Sequence, residues 1–276
     1  MPESTQTRVD AQGETGRLRH FLSYLRSYLV WDPLVWLYTI FLGCISLICS
    51  LFDPTGKIQH GFARLWARMI LATIGARVQV DGLNKIDTSK PQVYVVNHLS
   101  ALDIPVLYAH LPFQFRILAK KELFRYPFMG WHLRRSGQIP VVLENPKASV
   151  RSLNLAVAAL RKGKSLVIFP EGGRSPDGQL HPFMGGAFYA AVKAQVDVVP
   201  IALVGTYEML KMNSFHIQPG ALQMVVGEPI HTEGLSTRDI AKITGRAQDA
   251  IAELYYSRSM VPDLRQERLE MNESKK

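Results

Sequence analysis

His98 and Asp103 lie in the heptapeptide Asn97-His98-Leu99-Ser100-Ala101-Leu102-Asp103, directly after the apolar run Val93-Tyr94-Val95-Val96. An imidazole whose Nδ1 proton is held by a carboxylate has a fixed tautomer and a more basic Nε2, which equips it to take a proton from a hydroxyl. Geometry limits where the two can meet. Residues five apart diverge by about 140° inside one helix, so His98 must precede a helix and Asp103 must lie in its first turn. Ser100-Ala101-Leu102-Asp103 has the Ser-x-x-acid pattern of a helix start. The same spacing also fits a purely structural assignment, with Asp103 as a capping acid and His98 as a polar residue leaving a strand. The pair alone leaves both open.

A second constellation, Phe169-Pro170-Glu171-Gly172-Gly173-Arg174-Ser175, follows the apolar run Leu166-Val167-Ile168. Glycines at a strand end let backbone N–H groups approach an anion, and an arginine offers a bidentate fork to phosphate. A Gly-Gly turn beside a surface arginine is also a common structural feature. No Gly-x-Ser-x-Gly nucleophile turn occurs in the chain, so the attacking hydroxyl belongs to a substrate. Ser100 is the one rival nucleophile, and its place at a helix start argues against it. Gly163-Lys164-Ser165 imitates the end of a phosphate-binding loop, but Ala158 stands where the first glycine is required.

Positioning these residues requires alternating strands and helices. Short β-branched runs at 77–81, 92–96, 115–119, 137–142, 165–169, 196–204 and 222–227 read as strands. Their nearly continuous apolar character predicts cover on both faces. Helical spacing is found at 101–110, 128–136, 147–162, 185–194 and 237–256. Strand and helix alternating in this way predict an α/β domain.

Ahead of that domain, Leu34 to Phe52 is a run of nineteen residues without a charge, bracketed by Asp32 and Asp53. That is about the length of a bilayer-spanning helix. Basic residues flank it on both sides, so the orientation rule is nearly balanced and a re-entrant hairpin fits as well as a span. Before it, Leu18, Phe21, Leu22, Leu25, Tyr28 and Leu29 predict a basic amphipathic helix able to lie on an anionic bilayer or on the protein's own surface. After it, the turn Asp53-Pro54-Thr55-Gly56 leads into a second stripe of Phe62, Leu65, Trp66, Met69 and Ile70. The resulting order is a disordered leader (1–16), membrane-anchoring helices (17–75), the catalytic domain (76–260) and a charged tail (261–276).

Composition agrees with lipid contact. The 276 residues are 47% hydrophobic and 20% charged, low for a soluble enzyme, and the net charge of +9 calls for anionic partners. The two cysteines, Cys44 and Cys49, lie inside the apolar run and suggest neither a disulfide framework nor a zinc site.

Taken in order, Asn97-His98-x4-Asp103 and Phe169-Pro170-Glu171-Gly172-x-Arg174-Ser175 resemble the glycerolipid acyltransferases that acylate lysophosphatidic acid. Two further blocks match between and after them: Lys120-Lys121-Glu122-Leu123-Phe124 with Pro127 and Gly130, and Val199-Pro200-Ile201. The resemblance covers about residues 75–205. It implies a mixed, mostly parallel sheet wrapped by helices, with an N-terminal membrane-embedded helical hairpin. By the same resemblance His98 is the base and Asp103 its partner. Glu171 and Arg174, helped by Lys120 or Lys121, would hold the acceptor's phosphate, with Asn97, Gly172, Gly173 and Ser175 in the substrate-binding set. The acyl donor would be a thioester on coenzyme A or acyl carrier protein, with no metal and no other cofactor. Its partners would be the bilayer and a lysophospholipid, at the cytoplasmic face of a bacterial inner membrane. The positive charge is spread along the chain and needs only phospholipid and coenzyme A phosphates to explain it, so no nucleic acid is expected.

Three positions depart from the family pattern. Leu99 replaces a glutamine, which would loosen a contact in the donor pocket, and Gly173 replaces a threonine. Met184, in Phe183-Met184-Gly185-Gly186, stands where similar proteins commonly carry a lysine. That last change removes a cation and makes a different acceptor headgroup more credible.

Overall fold

The β-branched runs form a single sheet. The computed structural model describes residues 17, 21–142 and 146–264. The strands are β1 (Arg77–Asp81), β2 (Val93–Val96), β3 (Phe115–Lys120), β4 (Ile139–Val141), β5 (Ser165–Ile168), β6 (Val198–Val204) and β7 (Ala221–Val226). They lie in the order β1-β7-β6-β2-β5-β3-β4. From β6 to β4 all neighbours are parallel. β7 runs antiparallel to β6, and β1 is parallel to β7, so this edge pair opposes the rest. Every residue of β2, β5 and β6 is buried, as two-sided cover requires.

The longer helices are α1 (Phe21–Cys49), α2 (Lys57–Thr73), α3 (Asp103–His110), α4 (Met129–Arg135), α5 (Pro146–Arg161), α6 (Gly186–Ala194) and α7 (Ile240–Tyr256), and a single turn at Thr206–Met209 follows β6. Alternation along β2 divides the core. Tyr94 and Val96 join Ile70 and Leu71 of α2 and Val106 and Leu107 of α3 on one face. Val93 and Val95 join Leu160 of α5, Phe188 of α6 and Ile251 of α7 on the other. The expected strands and helices are recovered within a few residues at their ends. The leader expected at 1–16 lies outside the described residues, as does 265–276 of the expected tail.

The N-terminal region differs from the expectation in one respect. The amphipathic stretch and the apolar run are one helix, Phe21–Cys49. Pro33 would ordinarily interrupt it, because it has no N–H to donate. The interruption is absorbed by a π-helical turn at Ser27–Trp31, closed by the Asp32 N–H on the Ser27 carbonyl, so Pro33 falls in the first turn of the following α-helical segment. This 29-residue helix is long and apolar enough to cross a membrane, by length and composition.

Its polarity is inverted for a water-soluble protein. The side turned to the protein carries Ser27 and Ser46 beside Trp31, Tyr38 and Leu42, whereas Leu25, Leu29, Leu37, Ile40, Phe41 and Ile48 are exposed. Ser27 accepts the Ile217 N–H and donates to the Phe215 carbonyl, each at 2.9 Å. Trp66 of α2 donates its indole N–H to Thr39 of α1 at 2.7 Å. The turn between the two helices is closed by Asp53, whose carboxylate accepts from Thr55 and from the Ile58 N–H. Arg116 of β3 clamps that turn to the sheet through the Thr55 carbonyl at 2.6 Å.

Candidate active site

β2, β5 and β3 are adjacent and parallel, so the segments that leave their carboxyl ends share one rim of the sheet. Open α/β sheets bind ligands at this rim. It collects residues 97–103 after β2, 169–175 after β5, and Lys120 and Lys121 at the end of β3.

His98 and Asp103 meet as the helix geometry requires. His98 precedes α3, Asp103 opens it, and Nδ1 lies 2.8 Å from Asp103 Oδ2. The histidine side chain keeps 19% exposure and the aspartate has none, so one face of the imidazole pair is open while its carboxylate is sealed. The same Oδ2 accepts the N–H groups of Leu99 at 2.8 Å and Ser100 at 2.9 Å. The two readings left open by the sequence therefore coincide: one oxygen both caps the loop and orients the imidazole. The serine half of the expected capping box is not made in the usual form. Ser100 Oγ donates to the Leu210 carbonyl at 2.7 Å and accepts the Leu102 N–H at 3.3 Å. Fully buried and so engaged, Ser100 is not placed as a nucleophile.

Other expected binding residues brace the loop. Asn97 has no exposed surface, and its amide donates to the Leu203 carbonyl at 2.9 Å and accepts the Leu203 N–H at 2.7 Å. Both polar ends are thus used on β6, which leaves none for a substrate. Glu171 was expected beside an acceptor phosphate, but Oε1 accepts the His98 N–H at 2.8 Å and Oε2 accepts the His181 N–H at 2.9 Å. With both oxygens engaged by backbone N–H groups, Glu171 ties two loops together. Burial pushes its pKa up to about 7 against the pull of those two N–H bonds, and nearby Asp103 and Asp177 add to the rise. Ser175 is likewise buried; its N–H donates to the His98 carbonyl at 2.8 Å and its hydroxyl to Asp177 at 2.9 Å. Leu99, in place of a glutamine, is fully buried in the core between the sheet and α5–α7.

Of the remaining residues, all but the half-buried Gly172 are exposed. Gly172 takes a left-handed conformation (φ +75°) and closes a tight turn through its N–H on the Phe169 carbonyl. Gly173 and Arg174 are exposed at the tip of that turn, and Lys120 and Lys121 are exposed at the end of the adjoining strand. Met184 is 42% exposed and bonds through its N–H to the Pro170 carbonyl at 2.8 Å, which holds its backbone beside the same turn.

Sequence reasoning assigned no role to Phe169. Its ring stacks on the His98 imidazole with centroids 4.1 Å apart and planes 24° apart. The signal for this contact is strand register, since Val95 pairs with Ile168 and the two rings leave neighbouring strands side by side. Asp103 fixes the imidazole at one edge and Phe169 covers its face, an arrangement that can hold Nε2 toward a hydroxyl while exposed cations gather an anion nearby.

A family model described as acyltransferase matches residues 77–204. The 1-acyl-sn-glycerol-3-phosphate acyltransferase of Saccharomyces cerevisiae is 31% identical over 245 residues, covering 86% of this chain and 80% of its own. The Pseudomonas aeruginosa protein of the same name is 34% identical over 191 residues, 68% of this chain and 72% of its own. The chloroplastic 1-acyl-sn-glycerol-3-phosphate acyltransferase LPAT1 of Arabidopsis thaliana is 38% identical over 184 residues, 66% of this chain. This chain spans about half the length of that relative and of the similar Brassica napus protein, 51% in each case. The crystal structure of the LPA acyltransferase PlsC from Thermotoga maritima superposes with a TM-score of 0.68, covering 85% of this chain and 94% of its own. At 24% identity the likeness is one of fold.

Proposed function

The chain belongs to the family of the 1-acyl-sn-glycerol-3-phosphate acyltransferases, and we propose that it acylates the sn-2 hydroxyl of lysophosphatidic acid to give phosphatidic acid. The observation that carries the reading is the 2.8 Å bond from His98 to a fully buried Asp103 at the sheet rim. His98 Nε2 takes the proton of the acceptor hydroxyl. The hydroxyl oxygen bonds to the acyl carbon of a coenzyme A or acyl carrier protein thioester, the carbon–sulfur bond breaks, and the imidazolium returns the proton to the leaving thiolate. Asp103 orients the imidazole and balances its transient charge. Arg174 with Lys120 and Lys121 holds the acceptor's phosphate, and the Gly172-Gly173 turn lets backbone approach it. The donor carries its own activation as a thioester, so the reading asks for no metal and no resident cofactor.

In this reading residues 17–75 anchor the protein at the cytoplasmic face of a bacterial inner membrane and residues 76–260 carry the transfer. The inverted polarity of α1 supports the first part. Exposed Met184 beside the Arg174 turn favours a second reading, the same transfer to an acceptor with another headgroup.

The test is acyl transfer by the full chain with acyl-CoA and acyl carrier protein donors crossed against several lyso acceptors, read as thiol release. Lysophosphatidic acid is expected to be the best acceptor, and His98→Ala is expected to slow transfer roughly a hundredfold or more. A better rate on another lysophospholipid would select the second reading. Wild-type thiol release from His98→Ala would remove the base assignment, and no release with any pair would identify a non-catalytic relative.

A further inference from the structure

A second group of exposed apolar side chains lies far from α1 in sequence. Lys121–Arg125 make a 3-10 turn at the end of β3, and α4 follows. Along this segment Tyr126 is 59% exposed, Phe128 61%, Met129 52% and Trp131 51%. Large apolar residues grouped in this way on a surface mark a contact.

The backbone is built to present them. Phe128 sits at φ +60° and ψ −62°, a conformation costly for a bulky residue, and its ring nevertheless points away from the core. A Cβ on Gly130 would come 2.2 Å from the Phe124 carbonyl oxygen, so only glycine allows the turn that sets α4 under Phe128. The rings of Phe128 and Trp131 then meet edge to face at 5.3 Å and form one wedge.

Placement and charge identify the partner. α4 adjoins α1 where Ser46 Oγ lies 3.4 Å from His132 Nδ1, so the wedge stands beside the half of α1 that exposes Ile40, Phe41 and Ile48. Around it Lys120, Lys121, Arg125, Arg134 and Arg135 are exposed, with Glu122 the one acid among residues 120–135. Aromatic rings favour the headgroup level of a bilayer, and clustered cations favour anionic lipid. Two surfaces continuous in space, one apolar along a bilayer-length helix and one aromatic and basic, fit a single lipid surface.

We infer that residues 121–131 form a second contact with an anionic bilayer, which seats the rim carrying Lys120 and His98 on the membrane. The inference rests on the reading of α1 as membrane-embedded, but its first test does not require acyl transfer.

That test uses the full chain in vesicles of phosphatidylcholine and phosphatidylglycerol, with and without bromine on the acyl chains. The fluorescence of Trp131 is taken as the difference between wild type and Trp131→Phe. Brominated lipid should quench that difference by half or more, and aqueous iodide should barely affect it. Quenching by iodide and not by brominated lipid would overturn the inference. A second arm uses Phe128→Ser with Trp131→Ser. Transfer to an acceptor embedded in vesicles should fall on the order of tenfold, as expected for withdrawing two half-buried rings. Transfer to a short-chain acceptor dissolved as monomer should be unchanged, and equal loss on both acceptors would again overturn the inference. If wild type acylates neither acceptor, the proposed function fails, and the quenching result still decides the membrane contact.

Discussion

At the carboxyl rim of the sheet, polar atoms converge on shared, buried partners. Along α1 and the wedge after β3, apolar side chains stand without cover. Asp103 Oδ2 takes three donors, and Glu171 joins two loops through separate oxygens. On α1 the serines face inward and the large aliphatic side chains outward. At the rim shared partners satisfy most of the buried polar atoms, with Asp103 Oδ1 an exception, whereas the outer side of α1 reverses the rule that apolar groups are buried. The first region is specified by geometry to a few tenths of an ångström. The second presents its apolar groups by composition along α1 and by the Gly130 turn at the wedge.

The sharpest way to break this comparison is at Asp103. Asp103→Asn keeps an oxygen able to accept the Leu99 and Ser100 N–H groups but cannot hold the charged imidazole. Asp103→Ala loses both functions. Each should slow acyl transfer roughly a hundredfold or more. Only the alanine variant should also lose stability, by about 1–3 kcal/mol for the unsatisfied buried donors. Thermal unfolding and turnover measured on both variants separate the two roles. Near-wild-type turnover in Asp103→Asn would reduce the aspartate to a cap.

Glu171 acts on stability alone, with a definite sign. Its carboxyl is raised from the ordinary 4.5 to about 7 by burial. The unfolded chain therefore releases this proton at lower pH than the folded protein does. Stability from this group is fully present below about 4.5, declines as pH rises to about 7, and is level beyond. The full decline is about 3 kcal/mol. Glu171→Gln should flatten that slope in unfolding curves taken across the window; an unchanged slope would mean the carboxyl ionises normally in place.

Much of this was legible in the chain. Continuous β-branched runs predicted strands covered on both faces, and the helix angle placed His98 outside α3 with Asp103 in its first turn. What was not legible depends on which strands are neighbours. Asn97 looks like part of a binding motif until β6 lies beside β2 and Leu203 takes both ends of its amide. Glu171 sits in a phosphate-binding pattern, yet its role follows from loops that meet only in three dimensions. Phe169 over His98 is a product of register, and register has no signature in one sequence. The amphipathic stretch and the apolar run read as separate elements, yet a π-turn ahead of Pro33 joins them in one helix.

The finest test of the contrast removes one aromatic ring from each region. Phe169→Leu keeps an apolar residue of similar volume but takes away the stacked face over His98. An aromatic contact contributes about 0.5–1.5 kcal/mol, so turnover should fall about two- to tenfold with little change in acceptor KM, and Phe169→Tyr should restore most of it. Phe41 of α1 is 62% exposed. Phe41→Ser should leave turnover on a dissolved short-chain acceptor unchanged and shift unfolding by no more than about 0.5 kcal/mol, while weakening association with vesicles. If Phe169→Leu matched wild type in turnover, the ring would be packing alone. If Phe41→Ser unfolded the protein in detergent, its face would belong to the protein core and the comparison would fail at α1.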